Sequence, residues 1–270
     1  VEESRIRGGF NEDSVDFGVK AFIVDKNYKR KHRENSMIYS GIFNSRTGVN
    51  NTNQFSIGQN ITKSVDILYG SIQKLYAEDT NLTILQEKKV SRALIDKDAI
   101  YTAEGGNLAV DAKIVIGQVQ PYSGEYGISK NPESFAVYGT RKYFTDTNKG
   151  VVLRLSQDGL TEISAYGMKS FFRDNLKNLS AAYGMFDMHT KGYVLSLLKP
   201  SNFDEPQTET TYENTFGNKV LKPFANYKTL AFDDKVNGWS SFFTYSPEFG
   251  GSCGGEFYTW KKGLIYRHHT

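Results

Sequence analysis

The chain has 270 residues, of which 39% are hydrophobic and 14% aromatic, and its 33 Lys and Arg nearly balance its 30 Asp and Glu. This length can bury a sizeable core in one large or two ordinary domains. The formal net charge of +3 excludes the strong overall field of a nucleic-acid or membrane specialist. A single cysteine excludes an internal disulfide and a cysteine-rich zinc site.

The beginning and end of the sequence suggest a processed product or part of a longer chain. It starts at Val1 rather than methionine, and "GLIYRHHT" stops at the end of a predicted strand. The opening "VEESRIRGGFNEDS" lacks the charged-then-apolar order of a signal peptide. No apolar run approaches the roughly 18 residues of a membrane span, so we expect a soluble protein.

A run of positive charge, "DKNYKRKHREN", lies at 25–35. As a nucleic-acid patch it would contact phosphates and bind in a salt-dependent manner. The flanking acids Asp25 and Glu34 favour a solvated loop instead. The basic residues concerned are Lys26, Lys29, Arg30, Lys31 and Arg33.

Most of the remaining sequence predicts short β-strands separated by Gly, Asn and Asp. The polar stretch at 43–60 predicts a long surface loop, and 70–106 predicts a unit of four strands. The segment "SFAVYGTRKYFTDTNKGVVLRLSQDGLTEIS" predicts a second such unit, with "QDGL" as its last turn. Its predicted strands are 134–138, 141–146, 150–156 and 160–164.

The segment 167–179, "GMKSFFRDNLKNL", breaks this β pattern. Its apolar residues recur at helical spacing, which predicts an amphipathic helix of about three turns inserted on the β-scaffold. They are Met168, Phe171, Phe172, Leu176 and Leu179. A second long polar loop is predicted at 200–218.

Four segments in the second half of the chain share a frame in which a phenylalanine precedes a glycine by six positions. The offsets between successive glycines are 42, 46 and 25 residues (192 − 150, 238 − 192 and 263 − 238). Each copy predicts a hairpin whose glycine takes a positive φ. The pairs are Phe144 and Gly150, Phe186 and Gly192, Phe232 and Gly238, and Phe257 and Gly263.

A period of about 40 to 45 residues, with four strands in each unit, is typical of a β-propeller. We therefore predict a mainly β protein, a β-propeller-like array of four-stranded antiparallel units over 1–270 with one helical insertion at 167–179. A β-sandwich or an irregular β-domain is the alternative.

The stretch "PEFGGSCGGEFYTW" at 247–260 contains the only cysteine, Cys253. Gly-x-Cys-Gly-Gly resembles the nucleophile motif of chymotrypsin-like viral cysteine proteases, whose backbone N–H groups form an oxyanion hole. Such a nucleophile needs a histidine base, but His32 and His189 do not match the spacing of those proteases. His268 and His269 follow Cys253 without the Gly-x-His context. We therefore favour a glycine-rich connection between two hairpins.

Other candidate sites in the sequence are weak. The carboxylates Glu248, Glu256, Asp233 and Asp234 could supply a glycosidase pair, although any chain of this length offers such pairs. The turn residues Asp146 and Asp187 could ligate an ion. No phosphate loop, dinucleotide fingerprint or metal-ligand spacing is present in the sequence. We predict a non-enzymatic protein with no catalytic, cofactor-binding or metal-binding residues and no cofactor.

Three segments carry a family resemblance: "PYSGEYGISKNPESFAVYG" and its continuation to residue 176, "SIQKLYAEDTNLTILQEKKV" at 71–90, and "AFDDKVNGWSSFFTYSPEFGGSCGGEFYTWKKGLIYRHH" at 231–269. They resemble recurring segments of large tail structural proteins of crAss-like and related short-tailed bacteriophages. The resemblance implies a muzzle- or nozzle-type component, in which propeller-like β-domains form a ring at the distal end of the tail.

The same resemblance implies the partners and the location. The partners would be other virion tail proteins and copies of the chain in a ring, with tail fibres and the end of the viral genome as further contacts and no membrane span. The protein would be made in the host bacterial cytoplasm and reside in the virion tail. A carbohydrate-binding or carbohydrate-degrading propeller module of a phage tail is the alternative, and a cysteine protease using Cys253 is the third.

Overall fold

The computed structural model of the chain describes residues 32–41, 43–55, 61–78, 80–95, 116–199, 211–213, 219–221 and 227–269. These residues form a mainly β protein with one short α-helix. The chain divides into two compact units, Val1–Ile84 with Arg92–Gln120, and Leu85–Ser91 with Pro121–Thr270.

Within the described residues of the first unit, the first elements are two small antiparallel sheets. In one, β1 (Ser36–Ile38) pairs with β4 (Thr62–Ser64), and in the other β2 (Phe43–Asn44) pairs with β3 (Val49–Asn50). The loop predicted at 43–60 therefore contains a short hairpin, and its residues 56–60 lie outside the described part of the chain. A 3-10 helix at Ile67–Tyr69 follows.

A four-stranded sheet comes next, in the order β5 (Ile72–Glu78), β6 (Asn81–Gln86), β7 (Val90–Ile95) and β8 (Ile116–Pro121). The four-stranded unit predicted at 70–106 is present, but the predicted end is wrong because its fourth strand starts at Ile116. Residues 96–115 lie outside the described residues. The core of the first unit consists of Met37, Val65, Leu82, Ile84, Ala93 and Ile116.

The second unit contains three successive meander sheets, which we call sheets A, B and C. Sheet A follows a 3-10 turn at Pro132–Ser134, and its strand order confirms the four strands predicted for 134–164. A further 3-10 turn, Ile163–Ala165, ends it. Its strands are β9 (Ala136–Tyr138), β10 (Arg141–Asp146), β11 (Val151–Ser156) and β12 (Gly159–Glu162).

The helix α1 (Lys169–Leu176) lies between sheets A and B and confirms the predicted insertion. Its eight residues make about two turns rather than three. The helix starts later than predicted because Gly167 has a φ of 76°, outside the helical region, and it also ends three residues earlier, at Leu176. Phe172 and Leu176 are buried, and the Phe172 ring lies 4.5 Å from that of Trp239.

Sheet B has the order β13 (Ala181–Asp187), β14 (Gly192–Leu198), β17 (Tyr227–Asp233) and β18 (Gly238–Phe243). A separate hairpin, β15 (Thr211–Glu213) with β16 (Lys219–Leu221), lies in the chain between β14 and β17. The loop predicted at 200–218 therefore includes a strand; residues 200–210 and 214–218 lie outside the described residues.

Sheet C has three strands, β19 (Phe249–Cys253), β20 (Glu256–Lys261) and β21 (Leu264–Arg267). The first strands of the three sheets are neighbours, since β13 contacts both β9 and β19. Tyr138 stacks on Phe186 at 4.2 Å, and Ser252 Oγ donates to the Phe186 carbonyl at 3.1 Å. Successive antiparallel meanders that meet through their first strands form the predicted β-propeller-like array.

Sheets A and B are buried on both faces. In sheet A, Tyr143 and Val152 face one hydrophobic cluster, whereas Phe144 and Leu153 face another. Sheet B behaves in the same way, with Leu195 in the first of these clusters and Val194 in a third cluster. The strands β10 and β14 are accordingly almost continuous runs of buried residues, as expected where both faces of a sheet are covered.

All four phenylalanines of the recurring frame are buried in hairpins, but the frame does not mark one sheet per copy. Phe186 lies in β13 and Phe232 in β17, which belong to the same sheet B. The segment with β15 and β16 separates these two hairpins in sequence. The 46-residue offset is therefore an insertion within one sheet, not the period of the array.

The glycines of the frame are also one position out of register with the structural repeat. The β10–β11, β13–β14 and β17–β18 hairpins each have a loop of four residues. The last residue of each loop has a positive φ: 71° at Gly150, 58° at Lys191 and 49° at Asn237. The predicted positive φ is therefore confirmed at Gly150 and at Gly263 (77°). It is wrong for the other two glycines, which follow the loop as the first residues of β14 and β18.

The residue that does recur is an aspartate at the start of each loop. Asp146 accepts a hydrogen bond from Lys149 N (3.1 Å), Asp187 from His189 N (2.9 Å) and Asp233 from Lys235 N (2.7 Å). An aspartate can hold the backbone of a turn in this way. His189 and Asn148 therefore occupy equivalent positions, two residues after the aspartate.

Because Lys191 occupies a position that favours glycine, Lys191→Gly is expected to raise the free energy of unfolding by about 0.5 to 1 kcal/mol. The matched control is Gly150→Ala, which we expect to be destabilising, since a Cβ there would lie 3.0 Å from the Arg173 Cα in addition to the positive φ. Urea denaturation of both variants is the measurement. A Lys191→Gly variant less stable than the wild type would contradict the assignment of the turn.

Candidate functional site: the uncovered face of sheet C

Sheet C differs from its neighbours because, among the residues that the structure describes, only one of its faces is covered. Phe257 and Thr259 of β20 point into the molecule and are buried. Gly250 of β19 lies on the same face, where a Cβ would come within 2.5 Å of the Met185 sulfur. Since successive residues of a strand point to opposite faces, the side chains in between form an outer face.

The outer face carries a row of apolar side chains across all three strands. Phe249 lies opposite Trp260, and Trp260 lies opposite Ile265. Phe249 is 64% exposed and Ile265 is 62% exposed, and the two aromatic rings are 5.3 Å apart. The next row places Tyr258 opposite Arg267. A clustered apolar surface of this kind marks an interaction site more often than an isolated exposed residue does.

The edge of sheet C is also open, because β21 has a partner strand on one side only in the described part of the chain. His268 N donates to the Phe257 carbonyl at 2.9 Å. Because backbone bonds alternate along an antiparallel pair, the N–H and C=O of Ile265 and Arg267 point away from β20. All four side chains of β21 are exposed.

Cys253 is the last residue of β19, not part of a loop between two hairpins as expected from the sequence. The turn is made by Gly254 and Gly255, whose φ angles of 61° and 87° are typical of a two-residue hairpin loop. Cys253 is exposed and lies opposite Glu256. A hydrogen bond from Arg267 is the main reason why the pKa of Glu256 is lowered.

The histidines of the second unit lie beside sheet C but have partners of their own. His269 Nε2 lies 2.7 Å from Asp187 Oδ2, and its ring stacks on His189 at 4.4 Å. His268 Nε2 lies 2.8 Å from the Thr259 hydroxyl. His32 is an exposed residue of the first unit. The predicted alternative of a protease stays a prediction, and unchanged maturation of particles carrying Cys253→Ala would discard it.

Burial lowers the pKa of His268, an effect that Asp187 partly opposes. The folded protein therefore binds this proton less well than the unfolded chain does. The resulting stability is present at neutral pH and is lost as the pH falls below the usual histidine pKa of about 6.5. We expect His268→Gln to reduce the fall in unfolding free energy between neutral and mildly acidic pH, measured by urea denaturation at each pH. His189→Gln is the matched control, and an identical effect of both variants would contradict this origin.

The candidate glycosidase carboxylates are divided between two sheets, and each has its own partner. Asp233 and Asp234 lie at the β17–β18 turn, whereas Glu248 directly precedes β19 and Glu256 is the first residue of β20. Glu248 accepts from Lys262 N at 3.3 Å, and Glu256 forms a salt bridge with Arg267 at 3.1 Å. The structure therefore joins each carboxylate to a basic group or a backbone N–H.

The turn aspartates that the sequence offered as ion ligands accept hydrogen bonds from backbone N–H groups and neighbouring side chains. Asp146 also accepts from Gly127 N at 3.1 Å and from Ser129 Oγ at 2.8 Å. Asp187 accepts from the Thr190 hydroxyl at 2.8 Å in addition to its histidine partner. Within the described ranges, no group of three or more His, Cys, Asp or Glu side chains could hold a metal ion.

A buried charge cluster that the sequence did not predict joins sheets A and B. Asp234 accepts from Arg141 at 3.0 Å, from Arg154 at 2.8 Å and from the Tyr143 hydroxyl. Burial, followed by the bond to Asp234, raises the pKa of Tyr143. The side chains of Asp234 and Arg154 are only 10% and 15% exposed. Because its side chains are mostly buried and paired with one another, we interpret this cluster as a structural contact between the two sheets.

Two further predictions concern the surface. Of the basic run at 25–35, residues 25–31 lie outside the described residues, whereas His32, Arg33 and Glu34 are exposed. In the part of the chain that the structure describes, no helix is long and apolar enough to cross a membrane.

No protein-family model matches the chain, and no curated protein matches it significantly. Among solved structures, the chain is similar to the WD40 domain of Neurospora crassa Pan2, with 8% identity and a TM-score of 0.28 over 76% of this chain and 64% of that chain. It is also similar to virginiamycin B lyase from Staphylococcus aureus, with 12% identity and a TM-score of 0.23 over 72% of this chain and 82% of that one. The strand order and registers of the sheets define the class, a mainly β protein with a propeller-like array of sheets.

Proposed function

We propose that the chain is a non-enzymatic structural component of a bacteriophage tail, of the muzzle or nozzle type, which acts in tail assembly and in control of DNA exit. The observation that supports an assembly role is the uncovered face and edge of sheet C. The resemblance of 71–90, 121–176 and 231–269 to tail proteins supports the location.

The composition of this face suits a contact with protein. Trp, Tyr and Arg are the residues that most often dominate binding energy at protein interfaces, and the outer face presents Trp260, Tyr258 and Arg267 together. Arg267 is held by Glu256, so its guanidinium is already fixed in place. Large symmetric contacts are the usual means by which virion proteins of one kind assemble.

In this proposal the partners are other tail proteins and copies of the chain in a ring, with fibres and the genome end as neighbours. The protein is made in the host bacterial cytoplasm and resides in the virion tail. Peptide mass spectrometry of gradient-purified virions of the phage that encodes the chain should detect its peptides. A reconstruction of the tail should then place sheets A, B and C in the distal ring. Peptides found in the infected lysate but absent from purified virions would disprove the proposal.

A second candidate is a carbohydrate-binding tail module, which the exposed Phe249 ring beside the half-buried Trp260 ring favours. Aromatic rings on a flat surface offer an apolar face with a polar rim, which suits the apolar side of a sugar ring. Titration with saccharides from the host surface should then quench tryptophan fluorescence in the wild type but not in Trp260→Ala. Titration of Phe242→Ala, which removes an exposed ring from sheet B, is the control.

A further inference from the structure

The open edge of sheet C has properties that indicate its occupant. Within the described ranges, the other three large sheets, including β5–β8, each have four strands, whereas sheet C has three. An unpaired edge is a ready template for another strand. Natural edges are commonly protected by charge, by proline or by a bulge, but Leu264, Ile265 and Tyr266 are apolar and 60%, 62% and 47% exposed.

The order of these residues makes the edge self-complementary. We propose that β21 pairs antiparallel with β21 of a second copy of the chain, about a two-fold axis at Ile265, so that two sheets C form one six-stranded sheet. An isologous contact of this kind requires that the same surface fit itself. The proposal does not rest on the location in a phage tail.

The backbone allows this register. The N–H and C=O of Ile265 point away from β20, so two copies of Ile265 can exchange both hydrogen bonds as a bonded antiparallel pair. Leu264 then lies opposite Tyr266 of the second copy, and Arg267 lies opposite Gly263, which has no side chain. Every exposed apolar residue of β21 thereby meets an apolar partner.

The register also continues the apolar row of the outer face. The row would continue across the two-fold axis, in the order Phe249, Trp260 and Ile265 of one copy followed by Ile265, Trp260 and Phe249 of the other. The neighbouring antiparallel register, with Tyr266 on the axis, would place Ile265 opposite Arg267. That arrangement buries an apolar side chain against a charged one and interrupts the row, so the Ile265 register is favoured.

The first test is the oligomeric state of the full chain by sedimentation equilibrium over about a hundred-fold range of protein concentration. The wild type should change from monomer to dimer across this range. Ile265→Lys and Ile265→Glu should each weaken the dimer at least about ten-fold, because like charges then face each other across the axis. An equimolar mixture of the two variants should form a dimer again.

Val236→Lys is the matched control, because Val236 is an apolar residue of a sheet B turn that is 74% exposed. It should leave the dimer unchanged. Thermal unfolding by circular dichroism checks that each variant is folded, and the recovery in the mixture is evidence that a misfolded variant could not give. A monomer at every concentration, or a dimer unaffected by Ile265→Lys, would overturn the proposal.

The single cysteine allows a test of the register. Cys253 is exposed on the outer face of β19, four residues along the strands from the row of Ile265. With about 4.8 Å between strands and about 3.4 Å per residue, spin labels on the two copies of Cys253 should be about 35 Å apart. Pulsed electron resonance measures this distance. A narrow distribution far from this value would place the contact on another surface and refute the edge pairing.

Discussion

Replacing Asp234 by alanine is expected to lower the free energy of unfolding by about 3 kcal/mol, the lower end of the range for removing one partner of a buried ion pair, because the carboxylate keeps 10% of its surface exposed. The carboxylate accepts hydrogen bonds from three donors, Arg141, Arg154 and the Tyr143 hydroxyl. Arg141 can turn to solvent because it is 45% exposed. Arg154 cannot, and its Nε is already buried without a hydrogen-bond partner among the described residues.

The matched control is Asp158→Ala, which removes an exposed carboxylate from the β11–β12 turn of the neighbouring sheet and should cost at most about 0.5 kcal/mol. Urea denaturation of both variants gives the comparison. If Asp234→Ala were as mild as Asp158→Ala, the cluster would not join the two sheets in solution.

A second substitution separates the loss of the ion pair from the cost of an unpaired charge. In the Asp234→Ala background, Arg154→Met removes the stranded guanidinium and keeps most of the side-chain volume. We expect it to recover about 1 to 3 kcal/mol, because buried ion pairs can often be replaced by packed apolar residues. In the wild type the same Arg154→Met change should be destabilising, since it leaves Asp234 with fewer partners. Equal effects in both backgrounds would show that the two residues are not coupled.

The sequence was most informative where structure is local. The strands of sheet A were predicted to within two residues because each turn between them is short and carries its own signals, such as Gly139, Gly150 and Gly159 with positive φ. The helix was predicted from the spacing of Phe171, Phe172 and Leu176. Its start depends on the backbone at Gly167 rather than on periodicity, and its end at Leu176 was not indicated by the apolar spacing, which continues to Leu179.

The recurring glycine frame shows that a repeated residue spacing can misplace the turn residues it is taken to mark. The physical repeat is an aspartate that holds a four-residue turn, and glycine is only one of the residues that can occupy its positive-φ end. Lys191 and Asn237 occupy the same position in the other two turns. Gly192 and Gly238, which carried the apparent repeat, are the strand residues that come next, so an alignment on glycine was displaced by one residue.

Neither the charge cluster at Asp234 nor the candidate site on sheet C could be predicted, because both depend on how the sheets pack against one another. Asp234 lies 93 residues from Arg141 and 80 from Arg154, and no local pattern indicates that they meet. The row of Phe249, Trp260 and Ile265 has the same composition as the buried rows of sheets A and B. It is exposed only because no sheet lies against it among the described residues.

The contact between sheets A and B gives the other large expected effect, in Gly184→Ala. Gly184 lies within β13 where the sheet passes the turn at Pro132–Ser134, and a Cβ there would collide with the Ser134 carbonyl and lie 2.8 Å from the Tyr193 hydroxyl. That hydroxyl donates to the same carbonyl at 2.7 Å. Relief would require the backbone of one strand to move, so we expect a loss of about 3 kcal/mol, at the upper end of the range for overpacking.

Gly251→Ala is the matched control, since Gly251 is also a strand glycine but a Cβ there meets nothing within 4 Å. Removing the flexibility of glycine from a strand should stabilise the protein by about 0.5 kcal/mol. The two substitutions add the same methyl group and are expected to act in opposite directions, which chemical denaturation can measure directly. Two changes of the same sign and similar size would show that strand propensity, not the close approach of β13 to the first sheet, determines the result. Opposite signs would establish that the array is held together by a backbone contact that only glycine permits.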